Sequence, residues 1–289
     1  MDIGLYEAVS GMKAQAAYQD SIAANLARVN IPGNKQLVTA FEIPGESDLQ
    51  KTTDATGTVQ QMGIKGAPMQ SRTAIDFTPG LLEETKDPTN FAIEGQGFFK
   101  VREANGDISY TRNGQFHLNT QGVLVTTDGA QVLLQNDVPL NLNPKDNNQI
   151  TIQPDGKVLA GPNHTPRGSL ALVHAANDPK TKEPIDPRTL FTQAPNGRFT
   201  LAKAASEGNE AQNADAEGRV AGKATASQLQ PGLPANGVIR QGFLEQSNSD
   251  SVTAMVNLVQ VVRSYEANQK MVQEEDSATG KMIDAVSNT

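Results

Sequence analysis

At both ends of this chain the apolar residues advance in alternating steps of three and four, which is the period of a helix and not of a strand. Near the start the line runs through Leu5, Ala8, Met12, Gln15, Gln19, Ile22, Leu26 and Val29. Near the end it runs through Met255, Leu258, Val262, Tyr265, Gln269 and Val272, and Ile283 continues the phase. Each line is a heptad-like seam, so the pattern predicts two long helices, Ile3 to Val29 and about Ser251 to Val286. Alanines at 14, 16, 17, 23, 24 and 27 favour the first helix, and Pro32 with Gly33 stops it. The second follows "SNSDS", a cluster of the short polar residues that cap helix N-termini. At ~1.5 Å per residue the first helix would run about 40 Å, too long for the edge of a small compact domain.

Between the ends the period changes. Residues 34–90 are sparse in pattern and punctuated by Gly and Pro, which predicts an extended connector with a few short strands. From Phe91 short strands follow one another: 98–101, 108–112, 115–118, 123–126, 131–134, 149–153 and 170–174. Asn105-Gly106, Asn113-Gly114, Asp128-Gly129 and Asp155-Gly156 are expected to supply the positive φ of tight turns. A small antiparallel β domain is expected over 91–204, and the polar, Ala- and Gly-rich 205–239 reads as a flexible return linker. The fold class expected is therefore α+β: long N- and C-terminal helices forming a coiled-coil stem, within a terminal domain of 1–33 with 240–289, plus a central small antiparallel all-β domain.

Composition narrows the functions available. The chain has 289 residues, 37% hydrophobic and only 4% aromatic, with no Trp, so a modest core of aliphatics and alanine is expected. A formal charge of -8 and no basic run argue against nucleic acid or an anionic membrane as partner. With no cysteine there are neither disulfides nor thiolate metal sites. The start lacks the basic and apolar regions of a secretory signal, and no run approaches the ~18 to 20 apolar residues of a membrane span. Chemistry is equally sparse. His117, His164 and His174 have no ligand-like spacing, "GQGFF" at 95–99 lacks the third Gly and the helix of a dinucleotide loop, and no nucleophile elbow occurs. No catalytic, metal or cofactor residue is assigned.

The seams contain polar Gln15, Gln19, Gln269 and Asp276, and two helices of this length share no third partner expected inside the chain. A two-helix pair alone would leave much of Leu5, Ile22, Val262 and Val272 wet. Burying each such side chain contributes ~1.5 to 3 kcal/mol, which points to neighbouring copies as the cover. The expected polymerisation interface is Leu5, Met12, Ile22, Leu26, Val29, Met255, Leu258, Val262, Tyr265 and Val272. An enzyme would need converging acids or histidines that the chain does not name. A coiled-coil and β shaft of another secreted filament, a phage-tail-like structure or an adhesin is the alternative reading.

Three blocks carry a resemblance. The first joins "LYEAVSGMKAQ" to "ANLARVNIPG", with Asn25, Asn30 and Gly33. The second joins "FAIEGQGFFKV" to "YTRNGQFHLNTQGVLVTTDG", with Gly95, Gly97, Arg112 and Gly114. The third is "GFLEQSNSDSVTAMVNLVQVVRSYEANQK", with Glu245, Asn248, Arg263 and Glu266. In this order they resemble the bacterial flagellar rod and hook protein family. Arg28, Asn34 and Ser249 depart from that pattern: the family usually has Asn, an aromatic and an aliphatic there. The length and the phrase "DFTPGLLEETKDPTNFAIEG" are similar to a rod protein, the proximal-rod type ahead of the distal. The resemblance implies a structural subunit, exported by the flagellar export apparatus without a cleaved signal and self-associating in the periplasm into a helical axle. Neighbouring rod and hook proteins and the surrounding ring bushing would be its partners.

Overall fold

The computed structural model describes residues 3–42, 70–142, 149–176, 185–201, 229–232 and 237–287. Much of the expected connector (43–69) and of the return linker (202–228, 233–236) lies outside the described residues. The chain opens with α1 (Ile3–Arg28), β1 (Gln36–Glu42) and β2 (Gln70–Asp76). Next come β3 (Leu82–Glu84), β4 (Phe91–Glu94), β5 (Phe98–Arg102), β6 (Ile108–Thr111), β7 (Phe116–Leu118), β8 (Leu124–Thr126) and β9 (Gln131–Val132). They are followed by β10 (Ile150–Ile152), β11 (Lys157–Ala160), β12 (Thr165–Ser169), β13 (Leu172–Ala175), the short α2 (Pro187–Leu190), β14 (Phe191–Gln193) and β15 (Arg198–Leu201). The chain then returns through β16 (Leu229–Pro231), β17 (Val238–Gln241) and β18 (Phe243–Glu245) to α3 (Ser251–Ser287). The architecture is α+β with antiparallel pairing. It divides into two compact units: 1–27, 37–74 and 250–289 in one, 28–36 and 75–249 in the other.

In the first unit, α1 meets a strand that the sequence pattern did not single out. One helix face carries Tyr18, Ser21 and Asn25, and alternate residues of β1 answer them in reverse order. Asn25 both donates to the Leu37 carbonyl and accepts from the Leu37 N–H, each at 2.8 Å. Ser21 Oγ donates to the Ala17 carbonyl, so at its 2.6 Å contact with Thr39 it accepts. Tyr18 and Phe41 stack edge to face with centroids 5.8 Å apart. The match works because seven helical residues rise roughly 10 Å while four strand residues span about 13 Å. β1 pairs with β2 in a two-stranded sheet. α1 therefore has a partner within the chain besides α3, and its Ile22 is only 4% exposed.

α3 begins where Asp250 accepts from the N–H groups of Val252 and Thr253, an N-cap at the place the polar cluster predicted. The line shielded within the chain runs through Ala254, Leu258, Val261, Tyr265, Asn268 and Val272, whereas the seam assigned to neighbouring copies runs through Met255, Leu258, Val262, Tyr265, Gln269 and Val272. The two lines share every second position. They diverge because small Ala254 turns inward where larger Met255 was favoured, and because Asn268 is held by a bond from its Nδ2 to Gln15 Oε1 at 3.1 Å.

The second unit is built on a nine-stranded sheet ordered β14-β15-β6-β5-β9-β8-β7, with β13 pairing both β5 and β16. A three-stranded sheet, β10-β11-β12, and two small pairs, β17-β4 and β18-β3, complete it. Strands at 229–231 and 238–245 thus occupy the stretch read as linker and the part of the terminal helical domain that precedes its helix. Each is three or four residues long, too short to show a period. The core is mostly aliphatic, but the few aromatics are concentrated in it: Phe77, Phe98, Tyr110, Phe191 and Phe199 form a continuous cluster. Gly106, Gly129 and Gly156 have positive φ as expected of their turns. Gly114 does not. A Cβ there would stand 1.5 Å from the Phe91 carbonyl oxygen, so this Gly is required by close approach.

Candidate functional site

The residues that precede α3 and those that follow α1 converge in the second unit on one buried carboxylate. Glu245, the last residue of β18, has Oε1 at 2.6 Å from Lys35 Nζ and Oε2 at 3.1 Å from an Arg112 amino nitrogen. The side chains of Lys35, Glu245 and Arg112 are 0%, 1% and 5% exposed. Backbone groups complete the node. Gly80 N–H donates to Glu245 Oε1 at 3.0 Å and Gly33 N–H to the Glu245 carbonyl at 2.6 Å. Lys35 Nζ also donates to the Thr78 carbonyl at 2.8 Å, and Arg112 donates to the carbonyls of Ile93 and Gly95.

A buried ion pair survives desolvation only if its remaining donors and acceptors are satisfied, and these bonds do most of that. Burial still holds the Lys35 ammonium below its ordinary pKa; Glu245 opposes the shift and Arg112 adds to it. Burial likewise lowers Arg112, again opposed by Glu245. Glycines admit the backbone to this space. Gly33 has a φ of +67°, and a Cβ on it would lie 2.3 Å from the Arg112 carbonyl carbon; one on Gly80 would lie 2.0 Å from the Gln246 oxygen.

Asn248 adds a second tie. Its Oδ1 accepts from Gln36 N–H at 2.7 Å, and its Nδ2 donates to the Asp76 carbonyl at 2.9 Å. Asn34, fully buried where an aromatic was expected, accepts from Gln193 Nε2 at 3.0 Å, while its own Nδ2 has no partner among the described residues. Segments 33–36, 76–80, 93–95 and 245–248 are thereby fastened together around Arg112.

Of the eleven motif residues, the node brings together Gly33, Gly95, Arg112, Glu245 and Asn248. Asn25 does its work on β1, and Gly114 lies against β4. Gly97, with a φ of +138°, sits in the bend between β4 and β5. Asn30 is exposed at the edge of an open cleft of about 290 Å³ with Ile31, Pro32 and Asn113. Arg263 and Glu266 are exposed on α3. Sequence reasoning missed Lys35, Thr78 and Gly80. The signal for a node was present, since Arg112 and Glu245 are charged residues beside apolar strands and each needs a partner. Nothing local linked them to Lys35, 210 residues from Glu245.

Among the proposed interface residues, Ile22 is buried, Met12, Leu26, Val29, Leu258, Val262, Tyr265 and Val272 are half-buried, and Met255 is 55% exposed. The Leu5 side chain lies outside the described residues. Val252, Val256 and Val259, 68%, 51% and 52% exposed, join Met255 on one outer face of α3. Among the described residues no three His, Cys, Asp or Glu side chains cluster as metal ligands, and no helix is long and apolar enough to cross a membrane.

Comparison with known proteins gives a consistent picture. Residues 92–160 match the family described as the flagellar hook protein FlgE/F/G D1 domain, and residues 240–285 the flagellar basal body rod FlgEFG protein C-terminal family. The flagellar basal-body rod protein FlgG of Borreliella burgdorferi is 30% identical over 96% of this chain and 96% of its own length. FlgG of Agrobacterium fabrum is 30% identical over 92% of each chain, and FlgF of Caulobacter vibrioides 30% over 94% of this chain and 93% of its own. With the glycine, arginine and glutamate of the shared motifs meeting in one buried node, and with likeness running nearly end to end, this chain belongs to the flagellar basal-body rod protein family.

Proposed function

We infer that this chain is a structural subunit of the bacterial flagellar basal-body rod. The observation that carries the reading is the near full-length likeness to basal-body rod proteins, joined to a site whose groups are spent on holding backbone segments together and not on chemistry. In this reading α1 and α3 form a coiled-coil stem, and copies polymerise through it into a helical axle that transmits torque. The outer face of α3, Val252, Met255, Val256 and Val259, is the centre of the contact. Met12, Leu26, Val29, Leu258, Val262, Tyr265 and Val272 border it, Leu5 extends it on α1, and Ile22 serves the subunit's own packing. The strands of 91–204 act as a rigid block, with the Glu245 node fixing the segments that lead into the helices.

The subunit is exported through the flagellar apparatus without cleavage and meets neighbouring rod and hook proteins and the ring bushing in the periplasm. The phrase at 76–95 supports the proximal part of the rod. Purification of detergent-resistant basal bodies from cells carrying an epitope-tagged copy tests the function. The tag should remain with the rod after the filament and hook are removed; recovery only in the soluble fraction would contradict the reading.

A further inference from the structure

Carboxamides are the means by which this chain holds its own extended segments. Asn25 closes both of its bonds on Leu37, and Asn248 joins the Gln36 N–H to the Asp76 carbonyl. Gln241 accepts from the Ile152 N–H at 3.0 Å while donating to the Ile150 carbonyl at 2.7 Å. Each time the side-chain oxygen takes a main-chain N–H and the NH2 group meets a main-chain carbonyl, the full complement of one carboxamide to an extended chain. Two further carboxamides, Asn30 and Gln115, have no such task. Both are exposed, both line the open cleft of about 290 Å³, and neither side chain has a hydrogen-bond partner among the described residues. Asn113 and Asn196 line the same cleft with half of each amide free. Asn113 Oδ1 accepts from Gln115 N–H and Asn196 Nδ2 donates to Asp128, which leaves Asn113 Nδ2 and Asn196 Oδ1 unspent.

The other walls decide the class of ligand. Asp128 is the one charged residue that lines the cleft, and its carboxylate already accepts from Thr126, Asn196 and Arg198, so an ionic ligand finds no unspent counter-charge. Ile31 and Pro32 supply an apolar wall whose main chain offers no donor: Pro32 has no N–H, and that of Ile31 donates to the Arg28 carbonyl at 3.0 Å. No aromatic lines the cleft, so a sugar ring would have no flat face to stack on. Its volume is at the small end of ligand pockets, which suits a few residues of chain. We propose that this cleft binds an uncharged, extended peptide segment supplied by a second copy of the chain. Asn30 and Gln115 each bond a main-chain peptide group, and a small apolar side chain rests on Ile31 and Pro32. A recessed site cannot meet its own image across a two-fold axis, so a copy docked here makes a heterologous contact, the kind that extends into a helical assembly. The choice of a second copy rests on the rod-subunit reading; the preference for peptide does not.

The test uses the full-length ¹⁵N-labelled chain at concentrations where it is unassembled, titrated with N-acetyl-trialanine amide. The side-chain NH2 resonances of Asn30 and Gln115 should move saturably. An ester in place of one peptide link of the probe removes an N–H and should weaken binding at least about fivefold. Asn30→Asp and Gln115→Glu keep the shape and lose the donor, and each should weaken it at least about tenfold. Both side chains are exposed, so an amide spectrum unchanged away from the cleft is expected of the variants. No saturable shift, methyl glucoside binding as well as the peptide, or unchanged affinity in both variants would overturn the proposal. The source of the segment is read separately, with p-benzoylphenylalanine in place of Thr127, which also lines the cleft. Photocrosslinks from there into a neighbouring copy in assembled chain assign the segment to that copy, and assemblies without such crosslinks overturn that assignment. A chain that never assembles strikes the second copy together with the rod-subunit reading, while the titration still decides the peptide site.

Discussion

Glu245 is the residue on which four backbone segments depend, and its energetics follow from the charge count around it. Glu245→Ala removes the one anion that, among the described residues, pairs with both Lys35 and Arg112, and should cost about 3 to 5 kcal/mol of unfolding free energy in urea titrations. Lys35→Met leaves a one-to-one Arg112–Glu245 pair with Gly80 N–H still bonded to Oε1, and should cost about 1 kcal/mol or less. The lowered pKa of Lys35 fixes the sign of a pH effect. The folded state binds this proton more weakly than the unfolded state does, so stability rises with pH across the window between the lowered value and 10.5. Lys35→Met should abolish that rise; a fall in wild-type stability over the same window, attributable to Lys35, would contradict the burial argument. Glycines separate in the same way. Gly33→Ala meets both a positive φ and the Arg112 backbone at 2.3 Å and should cost several kcal/mol. Gly106→Ala has the φ penalty in open space and should cost about 1 to 2.

Helices were legible from sequence because their signal is long: 26 and 37 residues of one period, ended by Pro-Gly or begun by an Asp cap. Strands with Asn-Gly or Asp-Gly turns were legible for the same reason of local chemistry, and β5 to β8 fall where expected. What escaped was decided by partners far away in the chain. β17 and β18 are four and three residues long and exist because β4 and β3 pair with them across some 150 positions. β1 was hidden in a polar stretch because its anchors, Asn25 and Ser21, look like ordinary polar positions on a helix. Asn25→Ala should therefore cost about 2 to 3 kcal/mol, since it strands both the N–H and the carbonyl of Leu37. Hydrogen exchange at Leu37 should quicken while β5 and β6 keep their protection. Equal quickening in both would mean that the helix-to-strand contact is not a local feature. The residues of α3 shielded within the chain differ from the apolar seam at alternate positions, because pattern alone ranks Met255 above Ala254 and cannot foresee the bond between Asn268 and Gln15.

At the scale of the whole molecule, the chain joins an interior closed by its own residues to an α3 surface that is not. Val252, Met255, Val256 and Val259 follow the i, i+3, i+4, i+7 spacing of a single apolar face and remain at least half exposed. The inner line of the same helix is shielded within the chain, so substitutions on the outer face should change association and spare the fold. Sedimentation and electron microscopy of the purified chain across a concentration series, wild type against a Met255→Glu, Val256→Glu double substitution, test this most directly. Concentration-dependent helical filaments are expected of the wild type, and discrete monomers with an unchanged circular dichroism spectrum of the variant. Filaments of equal length and onset from both, or a wild type that remains monomeric at every concentration, would contradict assembly through the α3 face.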